Sequence, residues 1–221
     1  MSAVLFGSIS TLADTSELQR RAFNEAFAVH GLDWTWSRDE YISMLDSNGG
    51  VQRIADYASL RGEDVDAAAV HATKSQIFQE LLGTSSVVPR PGVVDTVDEA
   101  KKKCHKIGFV TTTSLGNINA LLAALKPHIS AEMFDLIVDG DSVKRPKPDP
   151  AAYEFALDQL GEDADSAVAI EDNVGGVAAA AAAGVRCIAF PNANTVGGDF
   201  RAADELVETL DAGHVLTFIV S

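Results

Sequence analysis

Five short runs of apolar, mostly small or β-branched residues constrain this chain more than any other feature. They cover Ala3–Ile9, Lys106–Thr113, Phe134–Val138, Ala167–Asp172 and Val185–Pro191. Each gives out in polar or glycine residues and is followed by a helical stretch. Runs of this length without alternation suit strands buried on both faces, and alternation with helices predicts a parallel sheet built from βαβ units. The expected fold is therefore α/β, with a Rossmann-type parallel core. Ligands bind such sheets beyond the carboxyl ends of the strands. Function is to be sought at Gly7–Thr11, Thr111–Ser114, Lys144–Lys147 and Glu171–Asn173.

One long segment interrupts this alternation. From Ser16 to Val87 there is no convincing strand. Leu18, Ala22, Ala26 and Val29 recur at helical spacing, Ser37 with Glu40 forms a capping box, and further helical stretches cover Val51–Leu60 and Val65–Leu82. The expected organisation is an α/β core from residues 1–15 and 88–221, with an all-helical cap inserted at 16–87. The alanine run Ala178–Ala183, closed by Gly184, reads as a tightly packed helix with a glycine C-cap.

Charge removes some function classes. With 32 acidic against 17 basic residues the net charge is −15. That argues against nucleic acid and against an anionic membrane as partner. No apolar stretch is long enough for a transmembrane helix, and Met1-Ser-Ala-Val-Leu-Phe6 lacks the basic start of a signal peptide, so a cytoplasmic location is expected. Cys104 and Cys187 match no CxxC spacing and read as free thiols. The five histidines are scattered without ligand spacing and are expected at the surface or at helix ends. Trp34 and Trp36 are expected to pack at the cap hinge. No G-x-S-x-G elbow is present to support a serine hydrolase.

Three strand ends carry chemical signals. Ala167-Val-Ala-Ile-Glu-Asp-Asn173 delivers adjacent carboxylates, hard oxygen donors that suit magnesium, although acids at a helix start are favourable without any metal. Lys144-Arg-Pro-Lys-Pro-Asp-Pro150 holds a lysine in a proline-stiffened loop, as a phosphate site would need; a solvated turn has the same composition. Phe109-Val-Thr-Thr-Thr-Ser114 runs a strand into hydroxyls ahead of a helix, which suits an anion or merely a Ser/Thr N-cap.

In this order, strand–Thr, Lys-Pro and Glu-Asp resemble motifs two to four of the haloacid dehalogenase superfamily. Leu18–Glu25, Gly49–Ile54, Arg90-Pro-Gly92, Lys147-Pro-Asp-Pro150 and Glu171-Asp-Asn173 are most similar to its β-phosphoglucomutase-like branch, and within it to CbbY-type sugar-bisphosphate phosphatases. The resemblance implies a capped Rossmann-like core and magnesium-dependent hydrolysis of sugar phosphates or bisphosphates. It implies phosphate binding by Thr111, Thr112 and Lys147, and metal binding by Glu171, Asp172 and the backbone carbonyl of Ile9. Arg53, the sole residue of Gly49-Gly-Val-Gln-Arg53 that keeps the family's charged cap pattern, is the implied cap contact to substrate.

The first motif departs from the family. Where Asp-x-Asp-Gly-Thr is expected, the chain reads Gly7-Ser-Ile-Ser-Thr11. Gly7 stands at the nucleophile and Ile9 at the general acid/base, so neither can do that chemistry. The magnesium site loses one anionic ligand and is expected to be weakened or absent. Four neighbouring positions differ together, which points to divergence rather than a single replacement. The leading expectation is a pseudoenzyme that keeps a phosphorylated small-molecule ligand or a protein partner. The alternatives are a hydrolase using Ser8, Ser10 or Thr11 as nucleophile, with Asp14 or Asp172 as base, and a purely structural protein.

Overall fold

The computed structural model describes residues 2–45 and 49–219. In chain order the elements are β1 (Ala3–Phe6), α1 (Ile9–Leu12), α2 (Ser16–Val29), α3 (Arg38–Ser43), α4 (Gly50–Arg61), α5 (Ala67–Thr84) and α6 (Val93–Lys102). They continue with β2 (Lys106–Val110), α7 (Leu115–Ala124), β3 (Leu136–Val138), α8 (Ala151–Leu160) and β4 (Ala167–Glu171). The chain closes with α9 (Val174–Ala182), β5 (Arg186–Ala189), β6 (Glu205–Leu206) and α10 (Ala212–Val215).

All strands pair in parallel, in the order β3-β2-β1-β4-β5-β6. This is the doubly wound, Rossmann-type arrangement. Its strand order reverses between β1 and β4, and there the crevice for a ligand opens. Side chains alternate strictly between the two faces. Val4, Phe6, Ile107, Phe109, Val168 and Ile170 pack under α6 and α7, while Ala3, Leu5, Val110, Ala167 and Ala169 pack under α8 and α9. Both faces are covered, which is why the strand sequences read as unbroken apolar runs.

The strands are shorter than the apolar runs suggest. β1 ends at Phe6 because the chain turns at Gly7 and Ser8 into α1, so Ile9 lies in a helix rather than a strand. Thr11 Oγ1 accepts the Ser8 amide at this corner. β6, two residues long at the sheet edge, has no counterpart among the runs read from sequence. The expected capping box is present, with the Ser37 amide donating to Glu40 and Ser37 Oγ accepting from the Glu40 amide. Gly184 adopts φ +74°, the left-handed conformation a glycine supplies cheaply after α9.

Helices α2 to α5 enclose a separate apolar cluster of Phe23, Phe27, Trp34, Trp36, Tyr41, Ile54 and Val70. Trp34 and Trp36 sit at its centre, not at a hinge: Phe27 lies 4.6 Å from the Trp36 ring and 5.2 Å from Trp34. α5 serves two cores, since Val70 packs in this cluster while Phe78, Leu81 and Leu82 pack against the sheet layer. Of the apolar stripe read along α2, Ala22 and Ala26 are buried, but Val29 at the helix end is exposed. No helix among the described residues is long and apolar enough to cross a membrane. Phe27→Ala should cost ~3–5 kcal/mol, the usual loss for a fully buried aromatic. Urea denaturation followed by Trp34 and Trp36 fluorescence will measure it, because both reporters touch the deleted ring.

Candidate functional site

The ends of β1, β2 and β4 open into a cleft of about 250 Å³ between the sheet and the helical cluster. Ser8, Thr111, Thr112, Lys147, Asp172 and Asn192 line it from the core, and Gln19, Tyr41 and Arg53 from the cap side. The phosphate residues inferred from sequence therefore meet at one place, and Arg53 faces them. Arg53 is buried rather than a surface arginine: Nε donates to the Met44 carbonyl at 3.0 Å, and the guanidinium lies 5.6 Å from the Tyr41 ring centroid. Burial holds its pKa below the usual arginine value.

The floor of the cleft is an ion pair. Lys147 Nζ lies 2.5 Å from Glu171 Oε1, donates to the Val110 carbonyl at 2.7 Å, and is 3.3 Å from the Tyr153 hydroxyl. Tyr153 donates to the same Glu171 oxygen at 2.7 Å. Glu171 is completely buried, and its Oε2 has no hydrogen-bond partner. Burial raises its pKa and adjacent Asp172 adds to the rise, against the lowering influence of Lys147. The Tyr153 phenol is pushed up for similar reasons, burial first and the Glu171 charge second. Three donors of Lys147 are thus turned inward.

Asp172 is held differently. Its Oδ1 accepts from Ser8 Oγ, from Thr11 Oγ1 at 3.3 Å and from Asn173 Nδ2 at 3.1 Å; its Oδ2 accepts from Asn192 Nδ2 at 2.6 Å. The loop that supplies Asn192 also ties the cap down. Asn194 donates to Glu17 and accepts from Arg38, and the Ala193 amide donates to Asp14. Asp14, offered by sequence as a base, is committed to Ser16 and Ala193; its pKa is lowered by those hydrogen bonds despite partial burial.

These donors do not fit magnesium, which demands near-octahedral oxygen ligation with several waters. Each Asp172 oxygen is occupied by side-chain donors, and Glu171 shares its oxygen with an ammonium. The Ile9 carbonyl accepts the Ala13 amide at 3.3 Å, and the Ile9 side chain lies in the core. Among the described residues, no group of three or more histidine, cysteine, aspartate or glutamate side chains could hold a metal ion.

Behind Gln19 on the cap side lies a second basic group that sequence reasoning missed. Lys74 is buried, donates to Gln19 Oε1 and lies 4.8 Å from the Phe23 ring centroid and 4.9 Å from that of Phe78. His71, one turn earlier, is half-buried against Phe23 instead of lying at a surface or helix end. Burial, and then the charges of Lys74 and Arg53, depress its pKa to about 4. A lysine on the apolar face of a predicted helix was the available signal. Tyr153, one turn past Pro150, carried no signal in the sequence.

A family profile described as haloacid dehalogenase-like hydrolase matches residues 10–190. The chain belongs to that family. The match starts at Ser10, past Gly7 and Ile9. CbbY of Cereibacter sphaeroides is 41% identical over 210 residues, covering 94% of this chain and 91% of its own. CbbY of Rhodobacter capsulatus is 38% identical, covering 96% and 95%. Among solved structures, CbbY from Rhodobacter sphaeroides in complex with phosphate superposes with a TM-score of 0.89 at 39% identity, covering 99% of both chains. A substituted variant of that protein in complex with xylulose-1,5-bisphosphate gives 0.87 at 41% identity, covering 95% and 94%. This haloacid dehalogenase-like chain is therefore of CbbY type, in fold and in sequence.

Burial, and then the nearby Arg53 charge, depress the Lys74 ammonium from 10.5 to about 7. Between those values the unfolded chain binds a proton that the folded chain lacks, so the stability of the protein rises with pH across that window. The penalty for burying the charge is full below about pH 7. Lys74→Met should accordingly raise the melting temperature most at or below pH 7 and progressively less towards pH 10, which a pH series of thermal melts will read.

Proposed function

We propose that this CbbY-type chain binds a phosphorylated sugar, with a sugar bisphosphate the best fit, and does not hydrolyse it. The observation that carries this reading is the end of β1. Gly7 and Ile9 offer no nucleophile and no proton carrier, while Thr111, Thr112, Lys147 and Arg53 line a single cleft beside them. Loss of the nucleophile in a covalent enzyme costs on the order of 10⁶ in rate. Binding does not need that carboxylate. The threonine hydroxyls and the start of α7 favour an anion at the sheet, and Arg53 brings positive charge to the cap wall. Two phosphate-seeking regions on opposite walls of one small cleft suit a ligand with phosphate at both ends. The xylulose bisphosphate bound by the CbbY variant is the natural first candidate.

A second reading rests on one contact. Ser8 lines the cleft and its hydroxyl donates to Asp172, the arrangement a serine nucleophile with a carboxylate base would need. We favour binding because the same Asp172 oxygen also accepts from Thr11 and Asn173, which leaves it poorly placed to take a proton in reaction.

Phosphate release from a panel of sugar phosphates and bisphosphates, with magnesium, should show no turnover above background. Calorimetry should show saturable binding of xylulose-1,5-bisphosphate, and Arg53→Met should weaken it by about 10–100-fold, the ~1.5–3 kcal/mol of a charged hydrogen bond. Turnover abolished by Ser8→Ala would overturn the proposal in favour of the serine reading. Failure of any sugar bisphosphate to bind would leave the cleft without the assigned role.

A further inference from the structure

The Glu171 carboxylate occupies an unusual position. It lies between two glycines, Gly7 at the end of β1 and Gly176 in the first turn of α9. A Cβ added to either would come well within 3.0 Å of the carboxyl carbon and of both oxygens. Glu171 therefore fills the volume into which a side chain at position 7 would project. To swing aside it would have to break the contacts that hold it. One oxygen is fixed by Lys147 and Tyr153, the residue is wholly buried, and Gly176 closes the other side.

The two carboxylates at the end of β4 are also met by groups of the protein itself. Lys147 compensates Glu171 directly at 2.5 Å. Asp172 is satisfied by four side-chain donors and feels the guanidinium of Arg90. Arg90 is itself fixed there by the Ser10, Phe190 and Pro191 carbonyls. Glu171 is thus matched by Lys147, while Asp172 shares Arg90 with Asp14. A further carboxylate at position 7 would add a charge with no cation of its own and create a demand for a divalent metal.

We propose that Glu171 has taken the place of the missing aspartate: its carboxylate fills the space over Gly7, neutralises Lys147, and makes anion binding in this cleft independent of divalent metal. The anion half of this inference rests on the binding function proposed above. The placement of Glu171 rests on geometry alone.

Two measurements on the full-length protein separate those halves. The first is a thermal-melt cycle of wild type, Gly7→Asp, Glu171→Ala and the double variant, each with and without millimolar magnesium against sodium chloride of equal ionic strength. Gly7→Asp should destabilise by collision with Glu171. Glu171→Ala should destabilise by leaving Lys147 buried without its partner. The double variant restores one carboxylate to the same space and should melt above both single variants, while Gly7→Asp, which alone carries the additional carboxylate, should gain stability from magnesium. A double variant no better than the sum of its parts, or a saturable magnesium shift in wild type, overturns the inference. If Gly7→Asp does not fold, Gly7→Ala carries the same collision in milder form, and the wild-type magnesium titration stands regardless. The second measurement is calorimetric titration of wild type with inorganic phosphate, in magnesium and in EDTA. Equal affinity in both is expected, and affinity that collapses in EDTA overturns metal independence. No phosphate binding in either, with the melt cycle as expected, refutes the anion half alone and upholds the placement of Glu171.

Discussion

The buried pair between Lys147 and Glu171 is the interaction on which the rest of the site depends. A buried ion pair is costly unless its geometry is good and its remaining lone pairs are met. Here the Val110 carbonyl accepts from Lys147 and the Tyr153 hydroxyl donates to Glu171 Oε1, leaving only Oε2 without a partner, so that β2, the loop before α8, α8 and β4 all converge on one ion pair. Removing either charge would strand the other in the interior. That dependence explains how the cleft keeps its shape although Gly7, at the end of β1, has no side chain to fill it.

The cap complements this floor. Phe23 lies under both Arg53, which lines the cleft, at 6.0 Å, and the buried Lys74, at 4.8 Å, so one aromatic ring serves two basic side chains. The loop 192–195 joins the two walls, because Asn192 holds Asp172 while Asn194 holds Glu17 and Arg38. Any ligand that draws Asp172 out of place would be felt at the cap through three residues. Change at β1 has therefore left a cleft whose walls are still mechanically connected.

Much of the fold was legible in the sequence, because strands covered on both faces cannot hide their apolar composition. The helix lengths followed from spacing and from Ser37 with Glu40. The two-residue strand at Glu205–Leu206 was not legible, since so short an edge element leaves no periodic pattern. At the site, the convergence of Thr111, Thr112, Lys147 and Asp172 was readable from their common position at strand ends. What Glu171 does was not. The sequence offers it as a metal ligand beside Asp172, and only the missing Cβ atoms of Gly7 and Gly176, 169 positions apart in the chain, turn its carboxylate inward. Lys74 and His71 were hidden for a related reason, because their burial depends on how α5 crosses Phe23.

The most direct test of the account is a crystal structure of the wild-type protein grown with magnesium and xylulose-1,5-bisphosphate. The account predicts an intact bisphosphate spanning Thr111 and Arg53, Glu171 still on Lys147, and no ion between Glu171 and Asp172. A cleaved ligand, or magnesium ligated by Glu171 and Asp172, would contradict it.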